Sequence, residues 1–134
     1  MSAISINRRG LLAAGAAVAA TAAVPAFPSD STPIARAWAR AETLRKQLQP
    51  HAPAIQAAFR SGGVSGWMRL KGEAYALGET RYGLLVEILN AAPSNAGDLD
   101  IQRRAARDEE MHNGPRDWAR ARVVLAEREL RPAA

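Results

Sequence analysis

The chain has 134 residues, enough for one domain of ordinary size and no more. It carries 18 basic and 13 acidic residues, a formal net charge of +5, far from the charge block of a dedicated nucleic-acid binder. It has no cysteine, which excludes disulfides, thiolate catalysis, c-type haem attachment and thiolate zinc sites.

Residues 1–10 hold Arg8 and Arg9 and no acid. Residues 11–24, LLAAGAAVAATAAV, are apolar and uncharged, and Pro25-Ala26-Phe27-Pro28 follows. A positive head, a short apolar middle and a small-residue exit are the three parts of a signal peptide. Such a middle rises only about 21 Å as a helix, short of the ~30 Å hydrocarbon core, so no permanent membrane span is expected. Arg8 and Arg9, then Gly10, then Leu11 and Leu12 resemble the twin-arginine export motif: two arginines, any residue, two apolar ones. The match departs at Asn7, where Ser or Thr is usual, and in having no Lys after the pair. The resemblance implies the twin-arginine translocase and a signal peptidase as partners and a periplasmic mature protein. Cleavage is expected after Ala26, with Val24 and Ala26 at the recognition positions, or alternatively after Ala22. On this reading residues 1–26 are the signal, 27–32 a linker, 33–131 a helical domain and 132–134 a tail. Without Arg8 and Arg9 the balance is 16 basic to 13 acidic residues.

The mature part reads as all-α, a small irregular antiparallel bundle of four to five helices. Ser31-Thr32-Pro33 offers a hydroxyl cap and a proline at the first helical position. A helix Pro33–Gln49 is predicted, with Ile34, Trp38, Ala41, Leu44, Arg45 and Leu48 toward one side. Pro50 ends it. A short helix Pro53–Arg60 follows, then a break at Ser61-Gly62-Gly63. Residues Ser65–Ala91 carry the longest pattern: Trp67, Leu70, Ala74, Leu77, Leu84 and Ile88, with Tyr75, Tyr82 and Leu89 beside them. Arg81 intrudes in this stripe, and Glu87 or Asp98 are its expected partners unless it snorkels. Gly72, Gly78 and Gly83 suggest close helix contact or a kink near Gly78. A weakly apolar helix Gly97–His112, capped by Ser94 or Asn95, is expected to be largely exposed on one side, with Asp100–Arg104 and Arg104–Asp108 pairs. Asn113-Gly114 stops it and Pro115 starts a last helix to Leu130, with Trp118, Ala121, Val124 and Leu125 inward. Trp38, Trp67 and Trp118 are expected in or rimming the core. The turn Ala92–Leu99 is similar to turns of small uncharacterised helical proteins of alpha-proteobacteria, which implies no activity.

Candidates for chemistry are few. Glu109 and His112 form a single Glu-x-x-His, which resembles half of the ferritin-like di-iron site; a second copy is missing, and His51 has no carboxylate three residues before it. These two are the weak metal candidates. Tyr75 and Tyr82 could line a pocket, and Arg81 could bind an anion. Arg103, Arg104, Arg107, Arg116, Arg120 and Arg122 cluster late, but Asp100, Asp108, Glu109, Glu110 and Asp117 are interleaved, so nucleic acid is not favoured as a partner. No catalytic residue set and no cofactor motif emerges. The expectation is an exported periplasmic protein that acts by binding or assembly, with an unknown protein partner, rather than by catalysis. Two alternatives stay open: a cytoplasmic or prophage-type nucleic-acid or protein adaptor, and a metal or haem carrier.

Overall fold

A computed structural model describes residues 30–132. Arg8, Arg9, Leu11, Leu12 and Ala26, and with them the export motif and the cleavage site, lie outside the described residues. The chain divides at Asp30, and the unit described is Ser31 onward.

This unit is a small all-α helical bundle, with no strand among the described residues. Six helices follow one another: α1 (Pro33–Leu48), α2 (His51–Arg60), α3 (Val64–Asn90), α4 (Ala96–Arg107), α5 (Glu109–His112) and α6 (Arg116–Leu130). Local chemistry sets their ends. The Thr32 hydroxyl accepts from the Ala35 N–H at 3.1 Å and Pro33 opens α1. The Asn95 side chain accepts from the Asp98 N–H at 2.8 Å and opens α4. Gly62, at φ +74°, takes the left-handed turn between α2 and α3.

α1 and then α2 run alongside α3 in the opposite direction. Three contacts record the register: Arg81 Nε donates to the Ala41 carbonyl, His51 faces Glu73, and the Phe59 ring lies beside Trp67. The core sits at the C-terminal half of α3. There Leu85, Ile88 and Leu89 meet Ile34, Ala37 and Ala41 of α1, Ala105 of α4, Met111 of α5 and Ala119 of α6. Alanine at four of these positions lets the backbones approach closely, while Trp38, Tyr82, Ile101, Trp118 and Val123 close the edges. α2 buries no residue, and no residue of α3 before Arg81 is buried. These two stretches form an arm beyond the core, roughly 20 Å long at the helical rise.

Several expectations are corrected. α3 is one unbroken helix of 27 residues. A Cβ at Gly72, Gly78 or Gly83 would meet nothing within 4 Å, so these glycines do not mark a close helix approach. The stretch expected as one helix Gly97–His112 is two, because Asp108 adopts an extended conformation (φ −58°, ψ 146°). α4 is more buried than its weak apolarity suggested: Asp98, Leu99, Gln102 and Ala105 all face inward. Trp67 is outside the core, on the arm, whereas Trp38 and Trp118 pack on the core edge. On α6 the inward residues are Ala119, Val123 and Ala126; Ala121, Val124 and Leu125 are exposed. The physical reason is that burial on α6 follows its small residues, which permit close contact, and not its largest aliphatic ones.

Candidate functional site

The late arginines do not act as one group. Arg104 pairs with Asp100 one turn earlier, at 3.0 Å. Arg103 reaches across to Glu127 on α6, at 3.0 Å. Arg122 donates to the carbonyls of Leu89 (3.0 Å) and Asn90 (3.2 Å) and so satisfies the open C-terminal end of α3. Arg107, Arg116 and Arg120 have no ion-pair partner among the described residues.

These three unpaired cations surround one concavity of about 360 Å³ between α4, α5 and α6. Arg103 and Arg107 lie one turn apart on α4. Arg116, Arg120, Val123, Val124 and Glu127 repeat at three and four residues along α6, and His112 comes from α5. Ala106, Val123 and Val124 give the groove its apolar lining. Glu127, the one acid in the lining, is held by Arg103.

Like charges at this density repel. Arg116 also stands in the first turn of α6, where the helix dipole disfavours a cation and no side chain caps the free N–H groups. Neither feature serves the fold. Guanidinium groups are planar forks that match carboxylate, sulfate or phosphate with two parallel hydrogen bonds. An anion held here would relieve the repulsion. The lining contains no hydroxyl or thiol nucleophile. The arrangement suits the binding of an anion.

The groove depends on a buried ion pair. Arg81 is 5 % exposed and donates twice to the Asp108 carboxylate. The expected partners Glu87 and Asp98 are not used. Glu87 is exposed, and Asp98 accepts instead from the Thr32 hydroxyl and the Ser94 N–H. Burial pushes the Asp108 carboxyl up, but the hydrogen bonds and charge of Arg81 and the N–H of Glu110 outweigh it and hold it below the ordinary carboxylate range. The same hydrogen bonds raise the Arg81 guanidinium against its own desolvation. Arg81 is therefore a structural cation, not an anion-binding one. Asp108 follows Arg107 directly and its side chain receives the Glu110 N–H at the start of α5. The pair thus sets where Arg107 and His112 stand.

Glu109 and His112 are both exposed, and His112 faces the arginine groove. No group of three His, Asp or Glu side chains able to hold a metal ion occurs among the described residues. Tyr75 and Tyr82 do line a shared concavity of about 490 Å³, with Glu79 of α3 and Glu110 and Pro115 opposite. Sequence reasoning saw the arginine cluster and its interleaved acids but not the division between them. Of the two local pairs expected here, Asp100–Arg104 forms and Arg104–Asp108 does not, because Asp108 turns to Arg81; the other assignments among these late arginines depend on contacts between helices.

The fold and groove define a small helical-bundle protein with an anion-compatible site. No protein-family model matches the chain, and comparison with curated proteins and with solved structures finds no significant match.

Proposed function

We propose that this chain is an exported, periplasmic helical protein that acts by binding, and that its ligand is a compact organic anion held in the groove between α4, α5 and α6. The export half of the reading is supported by the sequence pattern at Arg8, Arg9, Leu11 and Leu12. The binding half is carried by one observation: Arg107, Arg116 and Arg120 surround an apolar-lined concavity without a carboxylate to pair them. The anionic head takes the guanidinium forks and the apolar body lies on Ala106, Val123 and Val124. A volume of about 360 Å³ suits a single-ring or short-chain molecule.

Isothermal titration with phenyl phosphate, against inorganic phosphate as the bare head, tests this reading. Binding of one phenyl phosphate per chain is expected, tighter than inorganic phosphate and weaker in high salt. Arg116→Ala with Arg120→Ala removes two charge-assisted contacts and weakens binding by about a hundredfold. Equal affinity in wild type and variant would overturn the assignment of the site.

A further inference from the structure

The arm of α2 and the first half of α3 ends in an apolar tip. Phe59, Val64 and Met68 are 70 %, 65 % and 62 % exposed. Trp67 stands beside them, its ring 6.0 Å from that of Phe59, and Phe59, Val64 and Trp67 border a small apolar notch of about 210 Å³. None of the four belongs to the core or packs on it. Large side chains gathered at solvent in this way mark a surface that is covered in use.

Charge around the tip has one sign. From Thr43 to Gly72 the chain runs 30 residues without an acid; Arg60, Arg69 and Lys71 flank the tip, while Arg45, toward the core end, is paired with Glu42 at 3.0 Å. Both lysines of the protein are in this stretch. The next acid, Glu73, is engaged by Arg69 at 3.3 Å and by His51 at 3.6 Å. The Lys71 ammonium lies 4.7 Å from the Trp67 ring, an indole and a cation side by side at the edge of the apolar patch.

We infer that this tip docks on an anionic lipid surface. Phe59, Val64 and Met68 enter the boundary between headgroups and acyl chains, Trp67 lies at the interface, and Arg60, Arg69 and Lys71 meet the lipid phosphates. A second copy is a poorer occupant, because it would set one acid-free, cationic segment against another. The docking is peripheral: no described helix is long and apolar enough to cross a membrane. The arm and the groove are built from different helices, so this surface does not depend on what the groove binds.

The test uses the full chain with vesicles of phosphatidylcholine, with and without about a third phosphatidylglycerol, carrying brominated acyl chains. Because residues 11–24 are apolar too, the readout is quenching of Trp67 itself, taken as the difference between wild type and Trp67→Phe. Quenching is expected only with the anionic vesicles. Phe59→Ser with Met68→Ser, or Arg60→Glu with Lys71→Glu, should lower the vesicle affinity read from Trp67 quenching about tenfold or more, with melting unchanged because the positions are exposed. Unaltered Trp67 quenching in these variants would overturn the proposal. So would bound chains in which Trp67 stays unquenched, or a Trp67 that becomes shielded without vesicles as protein concentration rises, which would place a second copy on the tip.

Discussion

Arg81 and Asp108, 27 residues apart in sequence, meet in a two-pronged ion pair at 2.8 and 2.5 Å that joins the middle of α3 to the break between α4 and α5. The third guanidinium donor, Nε, reaches the Ala41 carbonyl of α1 at 3.3 Å. One side chain thus ties three segments together. It also explains the break: a continuous helix would leave Asp108 on the surface and Arg81 buried without a counter-charge, which is far costlier than losing a turn of helix.

Breaking this pair from one side strands a charge. Asp108→Ala should cost about 3–5 kcal/mol and lower Tm by ten degrees or more in a domain of this size. Arg81→Met with Asp108→Leu removes both charges and should recover most of that loss. Thermal melts of the two single variants and the double variant measure the coupling. Additive losses would show that the pair does not hold α3 to the α4–α5 break.

The same pair sets the acid limit of the fold. The folded Asp108 carboxyl is held below its ordinary range, whereas in the unfolded chain it returns to about 3.9. The unfolded state therefore binds the proton more readily. The contribution of Asp108 is complete above that unfolded value and is lost as pH falls from there through the lowered folded value. Tm should stay level from pH 7 to about 5 and drop below about pH 4. Asp108→Asn should start lower and show a shallower acid fall; a wild-type slope in that variant would assign the acid limit to other carboxylates.

The fold class was legible because helix starts are local. Thr32-Pro33 and Asn95 act as caps where hydroxyl and amide chemistry put them. The 3.6-residue period of α3 was also legible, although no residue of its first half is buried. What sequence could not supply was partner choice. An arginine in an apolar stripe states that a counter-charge is needed without saying which of 13 acids provides it. The same holds for the groove: Arg107, Arg116 and Arg120 become distinctive only once Asp100, Glu127 and the end of α3 have taken the neighbouring arginines. The arm tip was hidden for a related reason, since Phe59, Trp67 and Met68 carry the composition of a core and only the packing shows that they are outside it.

The turn between α5 and α6 joins His112 to Arg116, both of which line the groove, and Gly114 is its tightest point. A Cβ there would stand 2.9 Å from the Glu110 carbonyl, a backbone atom that cannot swing aside. Gly114→Ala should therefore shift the turn that carries His112 and Arg116. The expected result is weaker binding of phenyl phosphate by about tenfold, with a stability loss of about 1–2 kcal/mol. If stability falls and affinity does not, the turn and the groove are independent.

Export gives the fold a second consequence. The twin-arginine reading requires both guanidinium groups, so Arg8→Lys with Arg9→Lys should leave the full 134-residue chain in the cytoplasm, while wild type appears outside it about 26 residues shorter. That route carries chains that have already folded, so the ion pair and the signal are linked. Asp108→Ala, which loosens the bundle without touching the first 26 residues, should also reduce export, and the Arg81→Met with Asp108→Leu variant should restore it. Fractionation followed by immunoblotting of all four chains decides the matter. Export of the lysine variant at the wild-type level would remove the twin-arginine assignment. Export of the wild type together with an unfolded Asp108→Ala chain would point to the general secretion route, which threads unfolded polypeptide and is indifferent to whether Asp108 has found Arg81.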